Sequence, residues 1–118
     1  MSMNRCDYLI VGYDLTEFKN DLLTKEWCEN PENEKWECYQ KKGEIQAFTD
    51  PCSGNHLYFG YILAESDEFY CEDTTISVEY VEKNKNSVDE KLNETGWLEN
   101  LPERARLNYQ MIYFSEYR

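Results

Sequence analysis

Two apolar runs in this chain have the composition of strands buried inside a sheet. The first, residues 6–13, reads Cys-Asp-Tyr-Leu-Ile-Val-Gly-Tyr and is rich in β-branched and aromatic side chains. The second, residues 56–64, contains the longest strand-like stretch in the chain. It follows a shorter run, residues 44–49, after a turn rich in Pro, Gly and Asn, and this order predicts a β-hairpin. The chain is therefore expected to fold around a sheet.

A helix is predicted between the first strand and the hairpin. Asp14 is predicted to be the N-cap, and Glu17 follows three residues later, as in a capping box. We predict a helix over 15–28 that stops at Asn30-Pro31, with a second, shorter helix opening there and ending near Gly43. Five apolar side chains define the inner face of the first helix by their helical spacing: Leu15, Phe18, Leu22, Leu23 and Trp27.

The pattern over residues 74–81 fits two structures. Ile76, Val78 and Tyr80 alternate with polar residues, which favours a strand, whereas Tyr80 also fits a helical stripe with the apolar residues that follow it. Because many residues in this segment are β-branched, we predict a strand.

A short helix and a closing strand are predicted after this segment. Ser87 is expected to cap a helix that ends at Gly96, with Val88 and Leu92 facing inward. We expect Trp97, Leu98 and Leu101 to fix the following loop to the core, and residues 107–114 to form the last strand.

These elements predict one α+β domain over residues 1–118. We expect a mainly antiparallel sheet of about four to five strands, with two to three helices packed on one face. The length of 118 residues suits a single core, and no repeat or linker interrupts it. An aromatic content of 15% argues against intrinsic disorder, since these side chains supply apolar surface to bury.

The charge of the chain is negative and unevenly distributed. It has 24 acidic and 12 basic side chains, a formal net charge of −12, and twelve of the acids lie within residues 26–73 against three lysines. This balance argues against direct binding to nucleic acid, which requires clustered Lys and Arg. No apolar run approaches the roughly 18 residues of a membrane-spanning helix, so we expect no membrane association.

Two acidic clusters interleaved with aromatic residues are the candidate partner-binding surface. Dense carboxylates attract a positively charged protein and speed its association, and exposed aromatic residues can anchor it. A solvated surface that keeps the protein soluble is the alternative explanation, but −12 exceeds the magnitude of about 2–8 that solubility needs. The first cluster lies around Trp27 and comprises Glu26, Glu29, Glu32, Glu34, Trp36 and Glu37. The second cluster comprises Glu65, Asp67, Glu68, Phe69, Tyr70, Glu72 and Asp73.

These clusters predict a non-enzymatic inhibitor that occupies the nucleic-acid-binding surface of a basic partner, such as a nuclease. In size, charge and aromatic content the chain is similar to small acidic bacteriophage proteins that block CRISPR or restriction nucleases of the host. That similarity implies action as a nucleic-acid mimic, although no motif ties the chain to one family. A structural or assembly protein that forms a homodimer or larger assembly through a sheet edge, such as residues 107–114, is the alternative.

A small hydrolase is the third hypothesis. Cys52, Ser53 and the single histidine, His56, lie together in one turn, with Asp50 as a group that could orient the base. A loop in which Asp, Ser and Asn satisfy backbone groups explains the same residues more simply. We therefore expect no enzymatic activity.

The five cysteines predict neither a disulfide framework nor a metal site. They are widely spaced, with no Cys-x-x-Cys pair of the kind that structural zinc sites use. The odd count and the lack of a recognisable signal peptide predict reduced thiols in the cytoplasm. We expect no cofactor and no metal. The five residues are Cys6, Cys28, Cys38, Cys52 and Cys71.

Overall fold

A computed structural model describes residues 5–33, 43–49, 56–66 and 77–117 of the chain. Its sheet has four strands, all paired antiparallel, in the order β2-β3-β1-β4. The predicted α+β class is confirmed, since helices pack against this antiparallel sheet. The strands are β1 (Arg5–Asp14), β2 (Ile45–Thr49), β3 (Leu57–Ser66) and β4 (Gln110–Tyr117).

The first strand and the hairpin form where the sequence predicts them. The run 6–13 lies inside β1, the central strand that pairs with both β3 and β4. The hairpin strands β2 and β3 pair antiparallel, with Ala47 opposite Phe59. The closing strand begins at Gln110 rather than at the predicted residue 107. Residues 103–106 form a 3-10 turn whose C-cap is Leu107, so Leu107 has helical rather than extended backbone angles.

Among the described residues, short helices and 3-10 turns form a layer on one face of the sheet. Apolar residues from these elements form the first core with residues of β1 and β3, including Tyr13 and Phe59. The helices are α1 (Lys19–Leu22), α2 (Lys25–Glu29), α3 (Val78–Lys83) and α4 (Lys85–Glu94). The 3-10 turns are Thr16–Phe18, 31–33, Trp97–Asn100 and Glu103–Arg106. No helix in the described part of the chain is long and apolar enough to cross a membrane.

The prediction of one continuous helix over 15–28 is wrong. The segment is broken at Leu23, whose backbone leaves the helical region, and Thr24 caps a new helix by accepting a hydrogen bond from the Trp27 N–H at 3.1 Å. The break turns α2 so that its tryptophan reaches the core. The predicted capping box does not form either, since Glu17 pairs with Arg104 while Asp14 accepts from the Thr16 N–H.

The predicted strand over 74–81 is also wrong for the residues that the structure describes, which begin here at Ser77. Ser77 caps α3 by accepting from the Tyr80 N–H at 3.1 Å. Two tyrosines hold this helix on the body, because the Tyr61 and Tyr80 hydroxyls lie 2.8 Å apart and Tyr109 donates to the Val81 carbonyl. The Ser77 cap and these tertiary contacts therefore stabilise a helix in this segment in spite of its β propensity.

The predicted helix near Ser87 exists but begins earlier, since α4 starts at Lys85 directly after the end of α3. Val88 and Leu92 are completely buried, as predicted. The chain leaves the helix through Gly96, whose positive φ of 79° favours glycine. Trp97 and Leu101 then pack in the first core, which confirms that they hold this loop.

A second apolar cluster lies on the other face of the sheet. Its described members come from all four strands, and they include Tyr8, Ile10, Phe48, Ile62 and Phe114. Both faces of the central strand are thus buried, which explains why residues 6–13 are apolar with little alternation.

A polar contact inside the helix layer joins β1 to α4. The fully buried Tyr13 donates its hydroxyl hydrogen bond to the Asp89 carboxylate at 2.5 Å, and Lys85 donates to the other carboxylate oxygen at 2.8 Å. Burial first, and then this hydrogen bond, raise the pKa of Tyr13 far above its ordinary value of 10. Burial likewise raises the pKa of the neighbouring Tyr109 to about 12.

We expect Tyr13→Phe to lower the free energy of unfolding at neutral pH by about 1.5–3 kcal/mol, because one hydrogen bond to a carboxylate is lost. A raised tyrosine pKa stabilises the fold fully below pH 10, and the stabilisation disappears as pH rises through the value in the folded protein. Urea unfolding across this alkaline range should therefore show a shallower loss of stability for Tyr13→Phe than for the wild type. Equal slopes would contradict this assignment.

Candidate protein-binding surface

Three acids of the first predicted cluster are described, and all three are exposed. Glu26 and Glu29 lie on α2, and Glu32 lies in the turn that follows it. The remaining members, Glu34, Trp36 and Glu37, lie outside the described residues.

Helix α2 is fixed firmly to the body although it is only five residues long. The Trp27 indole N–H donates to the Thr95 carbonyl at 2.9 Å, and its ring lies 4.8 Å from that of the buried Trp97. Asn33 adds a hydrogen bond from its side-chain amide to the Trp27 carbonyl at 2.8 Å. Trp27 therefore anchors the helix inward, as its place on the predicted inner face indicated, although it lies among the acids of the first cluster in the sequence.

The contact of α2 with Thr95 and Trp97 places two further exposed acids in the segment that α2 touches. Glu94 directly precedes Thr95, Glu99 lies in the 3-10 turn that begins at Trp97, and both are exposed. Sequence analysis missed them because the contact that brings them near α2 joins residues 68 positions apart. We call this set the acidic platform: Glu26, Glu29, Glu32, Glu94 and Glu99.

The acidic platform keeps most of its negative charge. Within the described residues its ion pairs are Lys25–Glu29 at 3.9 Å and Lys91–Glu94 at 3.3 Å. The side chains in both pairs are about half exposed or more, so these contacts are weak and easily exchanged for a partner.

Glu65, the described member of the second predicted cluster, lies on the other side of the sheet. It is exposed near the end of β3 and pairs directly opposite Tyr8, which belongs to the second apolar cluster. Directly opposed residues share one face of a sheet, whereas α2 packs on the other face. The other members of this cluster, Asp67, Glu68, Phe69, Tyr70, Glu72 and Asp73, lie outside the described residues.

The histidine proposed for catalysis has an aromatic environment. The His56 ring stacks on Tyr58 at 4.6 Å, and Phe114 lies 5.5 Å away. Its Nε2 atom is 3.8 Å from the buried Glu116 carboxylate and has no hydrogen-bond partner among the described residues. Cys52, with Asp50 and Ser53, lies outside the described residues, so the hydrolase hypothesis stays a hypothesis.

A small open cleft of about 200 Å³ lies beside the start of β4. Two of its lining side chains already bind each other, since Arg104 donates to both carboxylate oxygens of Glu17, at 2.9 and 3.2 Å. This hydrogen bonding lowers the pKa of Glu17 and raises that of Arg104. In the described ranges, no three His, Cys, Asp or Glu side chains approach closely enough to hold a metal ion.

No family model, no curated protein and no solved structure matches this chain.

Proposed function

We propose that this protein is a non-enzymatic inhibitor that binds a basic, nucleic-acid-binding partner through the acidic platform. The observation that carries the proposal is a set of exposed carboxylates on short elements that the Trp27–Trp97 contact holds together. A fixed array of carboxylates presents to a phosphate-binding surface the charge that a nucleic-acid backbone would present. The partner would then be excluded from its own substrate by occupation of that surface.

The position of the acids favours the acidic platform over a surface that spans both predicted clusters. Glu65 points away from the face on which α2 packs, so a partner that contacts both would have to reach around the edge of the sheet. The helix layer alone offers five acids on adjoining elements. A nuclease that defends a bacterial host against phage, acting in the cytoplasm, is the specific partner that this proposal names.

We expect the triple variant Glu26→Lys, Glu29→Lys and Glu32→Lys to bind such a partner with affinity lower on the order of a hundredfold. Each reversal replaces an attraction with a repulsion and also slows the electrostatically steered encounter. Because all three side chains are exposed, the variant should keep the circular dichroism and unfolding midpoint of the wild type. Affinity is measured by biolayer interferometry with the protein captured from a bacterial lysate by the immobilised wild type.

A second triple variant controls for total charge. Glu79→Lys, Glu82→Lys and Glu103→Lys changes the net charge by the same amount, at exposed positions outside the acidic platform. Glu79 and Glu82 lie on α3, which joins the start of α4, whereas α2 contacts the chain just after the end of α4. The ten residues of α4 separate its two ends by about 14 Å. Equal losses in the two variants would show that only net charge matters and would overturn the acidic platform as the binding surface.

A further inference from the structure

We propose that β4 is a dimerisation edge, along which it pairs antiparallel with β4 of a second copy. This inference goes beyond the proposed function and does not depend on it. In the order β2-β3-β1-β4, the last strand pairs along one side with β1 and with no other described strand. Its outer side therefore offers backbone donors and acceptors to a further strand.

Strand β4 lacks the features with which proteins usually protect a free edge. It is eight residues long, contains no Lys, Pro or Gly, and pairs with β1 in one unbroken register. Its single acidic side chain, Glu116, is 2% exposed and so does not project toward solvent. An edge of this length and regularity is usually covered in the native state.

Exposed apolar side chains mark the same edge. Met111 is 56% exposed and Tyr113 is 65% exposed. Both lie on the face that the helices cover elsewhere, since Met111 pairs opposite the fully buried Val11. The helix layer thus stops short of β4 and leaves this apolar strip open.

The distribution of charge favours a second copy as the occupant. Two molecules with a net charge of −12 repel each other over most of their surface. Residues 104–118 are the exception, because they carry three arginines and one acid. Copies that meet along β4 therefore keep the acid-rich residues 26–73 out of the pairing strands.

The sequence of β4 is compatible with a twofold axis that passes through Tyr113. Antiparallel pairing about this residue places Ile112 opposite Phe114 of the partner, on the face of the second apolar cluster. It places Met111 opposite Ser115 of the partner, on the helix face. Each face then continues across the interface, as an isologous dimer requires.

The test is the mass in solution, measured by size-exclusion chromatography with light scattering over a range of protein concentrations. We expect a dimer of twice the 14.2 kDa chain, whose dissociation constant rises at least tenfold in Tyr113→Lys. The control is Val78→Lys, which adds the same charge at a similarly exposed apolar residue on α3 and should leave the dimer intact. A wild type that is monomeric at every concentration, or equal weakening by both variants, would overturn the proposal.

Salt separates this inference from the proposed function. Dimerisation between two negatively charged copies should strengthen as ionic strength rises, whereas binding to a basic partner should weaken. A monomeric wild type whose capture of a partner is lost in Tyr113→Lys would show that the partner, not a second copy, occupies β4. That result would overturn the dimer, and the charge-reversal variants of the acidic platform would still test the proposed function separately.

Discussion

Gly12→Ala is expected to lower the free energy of unfolding by about 4 kcal/mol, a large fraction of the stability of a small domain. Gly12 on β1 lies directly opposite Gly60 on β3. A Cβ at Gly12 would lie 2.0 Å from the Phe59 carbonyl oxygen and 2.6 Å from the Gly60 Cα. Both obstacles are backbone atoms of a paired strand, so they cannot move aside as a flexible side chain would.

The control for this prediction is Gly96→Ala. An added Cβ at Gly96 meets nothing within 4 Å, and the cost comes from its φ of 79°, about 1 kcal/mol. Urea unfolding followed by circular dichroism compares the two variants with the wild type. A midpoint for Gly12→Ala equal to that of Gly96→Ala would show that the two strands do not approach so closely.

Trp97→Ala is expected to cost about 3–5 kcal/mol. This side chain is 1% exposed, and its ring lies 4.8 Å from Trp27 and 6.0 Å from Phe59. Its removal leaves a cavity where the helix layer meets the sheet and takes away the surface on which α2 rests. Binding through the acidic platform should therefore weaken even under conditions in which the variant remains folded.

Trp97→Phe separates lost packing from lost polarity. The Trp97 indole N–H has no hydrogen-bond acceptor among the described residues, so phenylalanine removes volume but no polar contact there. We expect a loss of about 1–2 kcal/mol, well below that of alanine. Thermal and urea unfolding of the two variants measure the difference. Equal losses would mean that packing against Trp27 and Phe59 contributes little.

The sequence predicted the elements whose signals are local and strong. Residues 6–13 form a central strand with both faces buried, and this burial explains why the run from Tyr8 to Tyr13 has no charged residue. Val88 and Leu92 face inward because helical spacing alone places them on one side of α4. The break at Leu23 and the helix at 78–83 depend instead on Thr24 and Ser77 caps and on contacts with Trp97, Tyr61 and Tyr109.

The acidic platform was predicted only in part for the same physical reason. Glu26, Glu29 and Glu32 lie within residues 26–32, so their grouping follows from their spacing in the sequence. Glu94 and Glu99 join them through the contact of Trp27 with Thr95, which links distant segments. The position of Glu65 relative to α2 likewise depends on the strand register.

Capture from a nuclease-treated bacterial lysate tests the proposed function most directly. The wild-type protein is immobilised, exposed to the lysate and washed with buffers of increasing salt concentration. The proteins that stay bound are identified by mass spectrometry before and after addition of DNA or RNA. We predict a basic, nucleic-acid-binding protein that moderate salt releases, because salt screens its attraction to the carboxylates. Added nucleic acid should displace it as well, because phosphates compete with the carboxylates for the lysine and arginine side chains of the partner. Recovery of the bait alone, or of a partner that neither salt nor nucleic acid displaces, would contradict the account.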